Sequence, residues 1–292
     1  MEPMQEHTIR AFKPDLLGRA PTVPVARPRR PGTPIGLAGT PAANFLLAAL
    51  PPEDAQRLWP HLEGVHLAKG EVVYADGHAP SHAYFPTTAV IALQCVLSDG
   101  RTGDFAVIGH EGVAGSPLFT GGDLSLVRAE VRCTGHAFRL RTTVLAAAAT
   151  QPPLSRLLVR HAQTLIAQAA QTSLCARQHS ISEQLCELLL ATADRLPTKE
   201  ISMTHQAIAN ALGVRREGVT ESAHRLQGDG CIRYARGHIE ILDRAGLEQH
   251  ACECYGVSRR LYDSLVPRPL RPPLAPAIRA PSTLQRRGTH VT

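Results

Sequence analysis

The chain has 292 residues, of which 43% are apolar and only 4% aromatic, with 23 glycines and 23 prolines, enough for two modest domains flanked by stretches too proline-rich to fold. Its net charge of +6 favours a polyanionic partner without choosing between nucleic acid and anionic lipid. No window nears the roughly 18 consecutive apolar residues of a membrane span, and the first residues lack the apolar core of a signal peptide, so a cytoplasmic protein with no membrane partner is expected.

From Met1 to Ala43, prolines at 3, 14, 21, 24, 28, 31, 34 and 41 defeat both helix and sheet pairing, which predicts a disordered tail over 1–43. Residues 44–150 open with one short helical stretch (Phe45 to Leu50, then Pro52 to Leu62). Short runs rich in Val, Ile, Tyr and Phe follow: Val65 to Leu67, Glu71 to Tyr74, Ala83 to Phe85, Val90 to Leu97, Asp104 to Ile108, and Ala129 to Arg139. Gly-bearing turns separate them, the pattern of a compact sandwich, roll or barrel. At Pro152-Pro153 the period changes. Leu154, Leu157, Leu158, Leu165, Ala169 and Thr172 recur at three- and four-residue spacing, predicting a long helix over 151–180 whose apolar face pairs with a second copy of the chain. The alternative is that this face packs only on its own β domain. Ser180 and Glu183 have the spacing of a capping box, so a new helix is expected to run from near Ser182 to Arg195.

The stretch from Ile201 to Asp243 is the most informative. Thr204 can cap a helix whose apolar face is Ala207, Ile208, Ala211 and Leu212. Ala209 is small where another helix must cross, and Gly213 permits a sharp turn. A second helix then buries Val219, Ala223 and Leu226, leaving Arg215, Arg216, Glu217, Thr220, Glu221, His224 and Arg225 outside. Two alternating strands joined around Ala235 to Gly237 follow as a wing, with Arg233, Arg236 and His238 placed to meet phosphates. Arg donates two hydrogen bonds to guanine and Glu accepts from cytosine, so Arg216 and Glu217 at a helix N-terminus can read adjacent base pairs. With Thr204, His205 and Gln206 at the start of the preceding helix, these residues form the expected interface with double-stranded DNA. The segment 181–262 reads as a winged helix-turn-helix. From 263 onward, prolines and arginines again predict a disordered basic tail.

The run THQAIANALGVRREGVT from Thr204 to Thr220, with Leu226 and the Cys231-Ile232 start of the wing, resembles the Crp/Fnr family of bacterial regulators. Lys69-Gly70-Glu71, Asp76-Gly77, Tyr84-Phe85 and Gly109-His110-Glu111-Gly112 resemble its β domain, so the likeness spans roughly Asn44 to Arg260. The resemblance implies an α+β fold: an N-terminal β-roll of the cyclic-nucleotide-binding jelly-roll kind, a long dimerisation helix and a C-terminal winged helix-turn-helix. It further implies a homodimer on a two-fold operator, base reading by Arg216 and Glu217, and RNA polymerase as a further partner. A further base-reading Arg of the family falls at Glu221, which changes the half-site the protein would prefer.

Family members that bind cyclic AMP hold its phosphate with a Gly-Glu followed about ten residues later by Arg and a hydroxyl residue. Here Glu111 and Arg128 are further apart and Ala129 follows. Glu111 and Arg128 are thus weak ligand candidates, and no cofactor is expected. The family's iron–sulfur members carry an N-terminal cysteine cluster, whereas the seven cysteines here are Cys95, Cys133, Cys175, Cys186, Cys231, Cys252 and Cys254. Placed on one helix, Cys252 and Cys254 would face nearly opposite ways, so they are expected to pack as small hydrophobes. His78, His82, His110 and His136 are read as scattered surface or core residues, and no metal site is expected. No nucleophile elbow, phosphate loop or zinc-protease motif is present, so an enzyme is not expected.

Overall fold

Asn44 anchors the start of the fold. In the computed structural model, which describes residues 39–115, 124–198 and 200–265, its side chain accepts from the Leu46 and Leu47 amides, capping helix α1 (Phe45–Ala48), and donates to the carbonyls of Pro86 and Gly112. All four hydrogen-bonding positions of this fully buried amide are thereby used. The segment before it, expected to belong to the tail, forms a 3-10 turn at Pro41–Ala43; residues 1–38 and 266–292 lie outside the described residues.

After α2 (Pro52–Leu58), seven strands build the β-roll: β1 (Glu63–Leu67), β2 (Val72–Tyr74), β3 (His82–Pro86), β4 (Val90–Val96), β5 (Thr102–Ile108), β6 (Arg128–Cys133) and β7 (Gly135–Arg141). They form two antiparallel sheets, ordered β1-β7-β3 and β2-β6-β4-β5. The single strand expected over Ala129 to Arg139 is two, one in each sheet. Gly135 passes so close to the backbone of Thr88 and Ala89 that a Cβ has no room, and there the chain leaves one sheet for the other. Leu67, Ile91, Leu93, Ile108 and Val131 fill the roll, while Phe85, Leu140 and Leu145 pack with α1 and with the incoming long helix.

Helix α3 (Thr142–Ala148) leads into α4 (Pro152–Gln178), 27 residues and so roughly 40 Å long. Its orientation differs from the expected one. Leu154, Leu158 and Leu165 are buried against the chain's own β-roll, Leu157 and Ala169 are half-buried, and Thr172 donates to the Phe105 carbonyl. The opposite side carries Val159, Ile166 and Leu174, which are 61%, 72% and 51% exposed. The face expected to meet a second copy is therefore the one the protomer uses itself. Both sides of α4 carry branched apolar residues, so period alone could not tell them apart.

Helix α5 (Ile181–Ala193) starts with the expected capping box: Ser180 accepts from the Glu183 amide and Glu183 accepts from the Ser180 amide. The winged unit follows as β8 (Glu200–Ser202), α6 (His205–Leu212), α7 (Arg216–Gly228), β9 (Ile232–Ala235) and β10 (His238–Ile241), its sheet ordered β8-β10-β9. Strand β8 and the two closing helices, α8 (Arg244–His250) and α9 (Glu253–Leu265), go beyond the sequence reading, and α9 runs past the boundary expected at 262.

This unit is docked on the roll. Helix α9 lies along α4 and α6 lies against β5. Lys69 donates to the Ser202 carbonyl, and Arg195 at the end of α5 donates to buried Glu111 at 2.6 Å. Gly109 makes room for that arginine, since a Cβ there would meet it at 2.7 Å. Cys252 precedes α9 instead of sitting within it, so Cys252 and Cys254 do not diverge as two helical positions would. They are buried with Cys175, beside His179 from the end of α4, so they pack as small side chains as expected but on the same side, not on opposite ones. Among the described residues no helix is long and apolar enough to cross a membrane.

Candidate nucleic-acid interface

Local chemistry sets the reading unit. Thr204 accepts from the Ala207 amide and so caps α6. Gly213 ends α6 at φ 67°, a left-handed conformation that costs glycine little. The chain then turns into α7, whose inner side carries Val219, Ala223 and Leu226 among Leu185, Leu189, Ile208 and Ile239. Gly218 was not singled out in the sequence, but it is where α7 crosses α5: a Cβ there would meet Ile181 at 2.6 Å.

With its inner side anchored, α7 presents Arg216, Glu217, Glu221, His224 and Arg225 to solvent; Arg215 just before it is also exposed, and Thr220 is half-buried. Arg216 and Glu217 are its first two residues, where the positive end of the helix dipole also attracts anions. Glu221 pairs with Arg225 at 3.2 Å across one exposed turn, an interaction worth only about 0.3–0.5 kcal/mol and so easily exchanged for a better partner.

Several of the sequence-predicted contact residues are engaged within the unit. His205 is half-buried, stacks on Tyr234 with ring centroids 4.1 Å apart, and lies 3.0 Å from the Thr220 hydroxyl. Burial, with the charges of Arg216 and His224, lowers its pKa, so it is held as a neutral brace between α6 and the wing. Tyr234 was missed because its partner lies 29 positions earlier. Exposed Gln206 donates to Asn210.

The wing turns through Arg236 at φ 50° and Gly237 at φ 84°, the pair of positive angles that a tight two-residue hairpin of matching twist requires. Arg236 is the only non-glycine residue with positive φ among the described residues, which puts a cation at the tip at some cost in backbone strain. Arg233 pairs with Glu240 at 3.0 Å and His238 with Glu200 at 2.7 Å.

In the roll, Glu111 and Arg128 do not form a common cradle. Burial alone would raise the Glu111 pKa, but the adjacent Arg195 guanidinium holds it below the usual carboxylate range. Arg128 pairs instead with Glu130 at 2.8 Å. The glycine-rich interval between them includes residues 116–123, outside the described residues. A cavity of about 290 Å³ lies between β5, α4 and α5, lined by Asp104, Arg132 and Glu187 among others. Of the scattered histidines, His110 lies edge-on to Phe45 and His136 to His66. Cys133 is buried, which pushes its thiol up to about 11.

The family described as the Crp-like helix-turn-helix domain matches residues 183–250. No curated protein matches the chain. Among solved structures, a transcriptional regulator of the Crp/Fnr family from Eubacterium rectale superposes with a TM-score of 0.56 at 18% identity, over 70% of this chain and 98% of that one. FixK2 from Bradyrhizobium japonicum gives 0.57 at 20% identity, over 65% and 98%. The c-di-GMP-responsive global regulator CLP from Xanthomonas campestris gives 0.53 at 14% identity, over 66% and 100%. Residues 183–250 are thus a Crp-like helix-turn-helix domain, and the chain has the fold of the Crp/Fnr regulators it resembles.

Proposed function

We propose that the protein acts in the cytoplasm as a homodimer that reads a two-fold operator in double-stranded DNA, with Arg216 and Glu217 on base edges and Arg236 on the phosphate backbone. The observation that carries this reading is the exposed N-terminal turn of α7, fixed from behind by buried Val219 and Leu226. Arg215 is the N-cap of the helix that carries the base-reading pair, Thr220, Glu221, His224 and Arg225 follow on it, and Thr204 and Gln206 stand at the start of α6. Arg233 and His238 serve the backbone after giving up their carboxylate partners.

Base contacts and phosphate contacts separate in experiment. Arg216→Ala is expected to cost about 1–3 kcal/mol on the preferred operator and to relax preference at one base position. Arg236→Ala is expected to weaken every duplex alike and to lower the salt slope of log affinity by about one. Fluorescence anisotropy with an operator library at two salt concentrations distinguishes them; equal losses from both variants on every sequence would refute the base-reading assignment.

The exposed residues Val159, Ile166 and Leu174 recur at seven and eight positions along α4, the spacing of a helical seam that meets its own copy. Ile166→Lys is expected to turn the dimer into a monomer at micromolar concentration without lowering the melting temperature of the protomer, and to cost operator affinity because two half-sites are no longer joined. Analytical ultracentrifugation checks it; a variant that stays dimeric would move the seam elsewhere. Contact with RNA polymerase completes this reading on the strength of the family likeness.

A further inference from the structure

Cys175 and His179 stand one turn apart at the C-terminal end of α4, with His179 the residue at which that helix stops. Cys252 and Cys254 flank the start of α9, 77 positions further along from Cys175. The sulfurs and an imidazole nitrogen of these four residues all lie within 4.8 Å of one another. Cys175 Sγ is 3.5 Å from Cys252 Sγ, and Cys254 Sγ is 3.4 Å from His179 Nδ1. The three cysteines are buried.

These separations match the edges of a coordination tetrahedron. Bonds of 2.3 Å to sulfur and 2.0–2.1 Å to nitrogen put ligand atoms about 3.5–3.8 Å apart. The surroundings fit as well. The other ring nitrogen of His179, Nε2, is 3.4 Å from the Glu253 carboxylate, and the Gln171 side-chain amide donates to Cys254 Sγ at 3.0 Å. A carboxylate behind a ligating histidine fixes its tautomer and orientation, and an N–H aimed at sulfur favours a thiolate.

We infer that Cys175, His179, Cys252 and Cys254 form a closed structural site for one soft divalent metal ion of the Zn²⁺ class. Three sulfurs and an imidazole select such an ion over Mg²⁺ or Ca²⁺, and four protein ligands leave no open position for catalysis. An iron–sulfur cluster needs thiolates that reach separate irons, further apart than these four atoms lie. On binding, the three cysteines form metal–sulfur bonds as thiolates and His179 lends a ring-nitrogen lone pair, any protons they carry passing to solvent, with no change of oxidation state. The ion would tie the end of the long helix to the last helix of the reading unit, across the break at His179. The site stands apart from the DNA-reading residues, so its test is independent of them.

The full-length protein, purified metal-free under reducing conditions, is titrated with Co²⁺ and then Zn²⁺. The expected result is one Co²⁺ per chain with the intense visible bands of tetrahedral thiolate coordination, bleached by one equivalent of Zn²⁺. Cys254→Ser is expected to abolish this spectrum, whereas Cys95→Ser, at an exposed position remote in sequence from the cluster, leaves it intact. Glu253→Gln is expected to weaken Zn²⁺ affinity about 10–100-fold. A pale octahedral Co²⁺ spectrum in the wild type, or tetrahedral binding that survives Cys254→Ser, would overturn the proposal. So would a reduced protein that takes up no metal and, on air exposure, loses two mass units to a Cys175–Cys252 disulfide.

Discussion

Replacing Glu111 with alanine is expected to destabilise the folded protein by about 3–5 kcal/mol, the cost of breaking a buried ion pair from one side. The side chains of Glu111 and Arg195 are 10% and 7% exposed, so solvent does little to screen the charge left behind. The carboxylate also accepts from the Gly109 amide, which would lose that partner. Because the pair joins the β-roll to α5, urea unfolding is expected to split into two transitions as the reading unit comes loose. The double variant Glu111→Ala/Arg195→Met is expected to recover much of the loss, since an apolar contact of similar shape avoids desolvating either charge. The pH dependence has a definite sign. The folded pKa of Glu111 lies below its unfolded value, so the pair's contribution is complete above the ordinary carboxylate range and is lost as pH falls through the lower folded value. An alanine variant lacks that component of acid sensitivity. A single unfolding transition with less than 1 kcal/mol lost would show that the pair does not hold the two units together.

Leu226→Ala is expected to cost about 2–5 kcal/mol by opening a cavity behind the reading helix. Leu226 is fully buried between α7 and the wing sheet, and small domains hold only about 5–15 kcal/mol in total. Operator affinity is expected to fall with the fraction unfolded and to return on cooling, whereas Arg216→Ala would lose affinity at unchanged stability. Differential scanning calorimetry alongside anisotropy separates the two. A Leu226 variant that melts like the wild type would mean that α7 is held by something other than its apolar side.

The reading unit was legible because its signals are local. A capping threonine, a glycine in the left-handed region and apolar residues at i, i+4 and i+7 specify α6 and α7 within 25 residues. Those signals are blind to partners far along the chain. The stack of His205 on Tyr234 and the use of Glu111 by Arg195, 84 positions away, depend on tertiary contacts that no short window contains. For α4 the helical period was clear but its facing was not, because Leu158 and Val159 are adjacent and equally apolar while only one meets the roll. The convergence of Cys252 and Cys254 on one side was hidden for a related reason. Helical spacing would set the two cysteines apart only with Cys252 inside α9, and the extended backbone at Ala251, φ −79° and ψ 149°, keeps it outside.

The bare backbone of Gly218 leaves nothing between α7 and Ile181 at the first turn of α5. The two helices are therefore packed in direct contact, so a displacement of α5 would be carried to Arg216 at the start of α7. On the proposed two-fold operator, whose grooves repeat about every 34 Å, that contact would make the spacing of the two α7 helices depend on how α5 is seated.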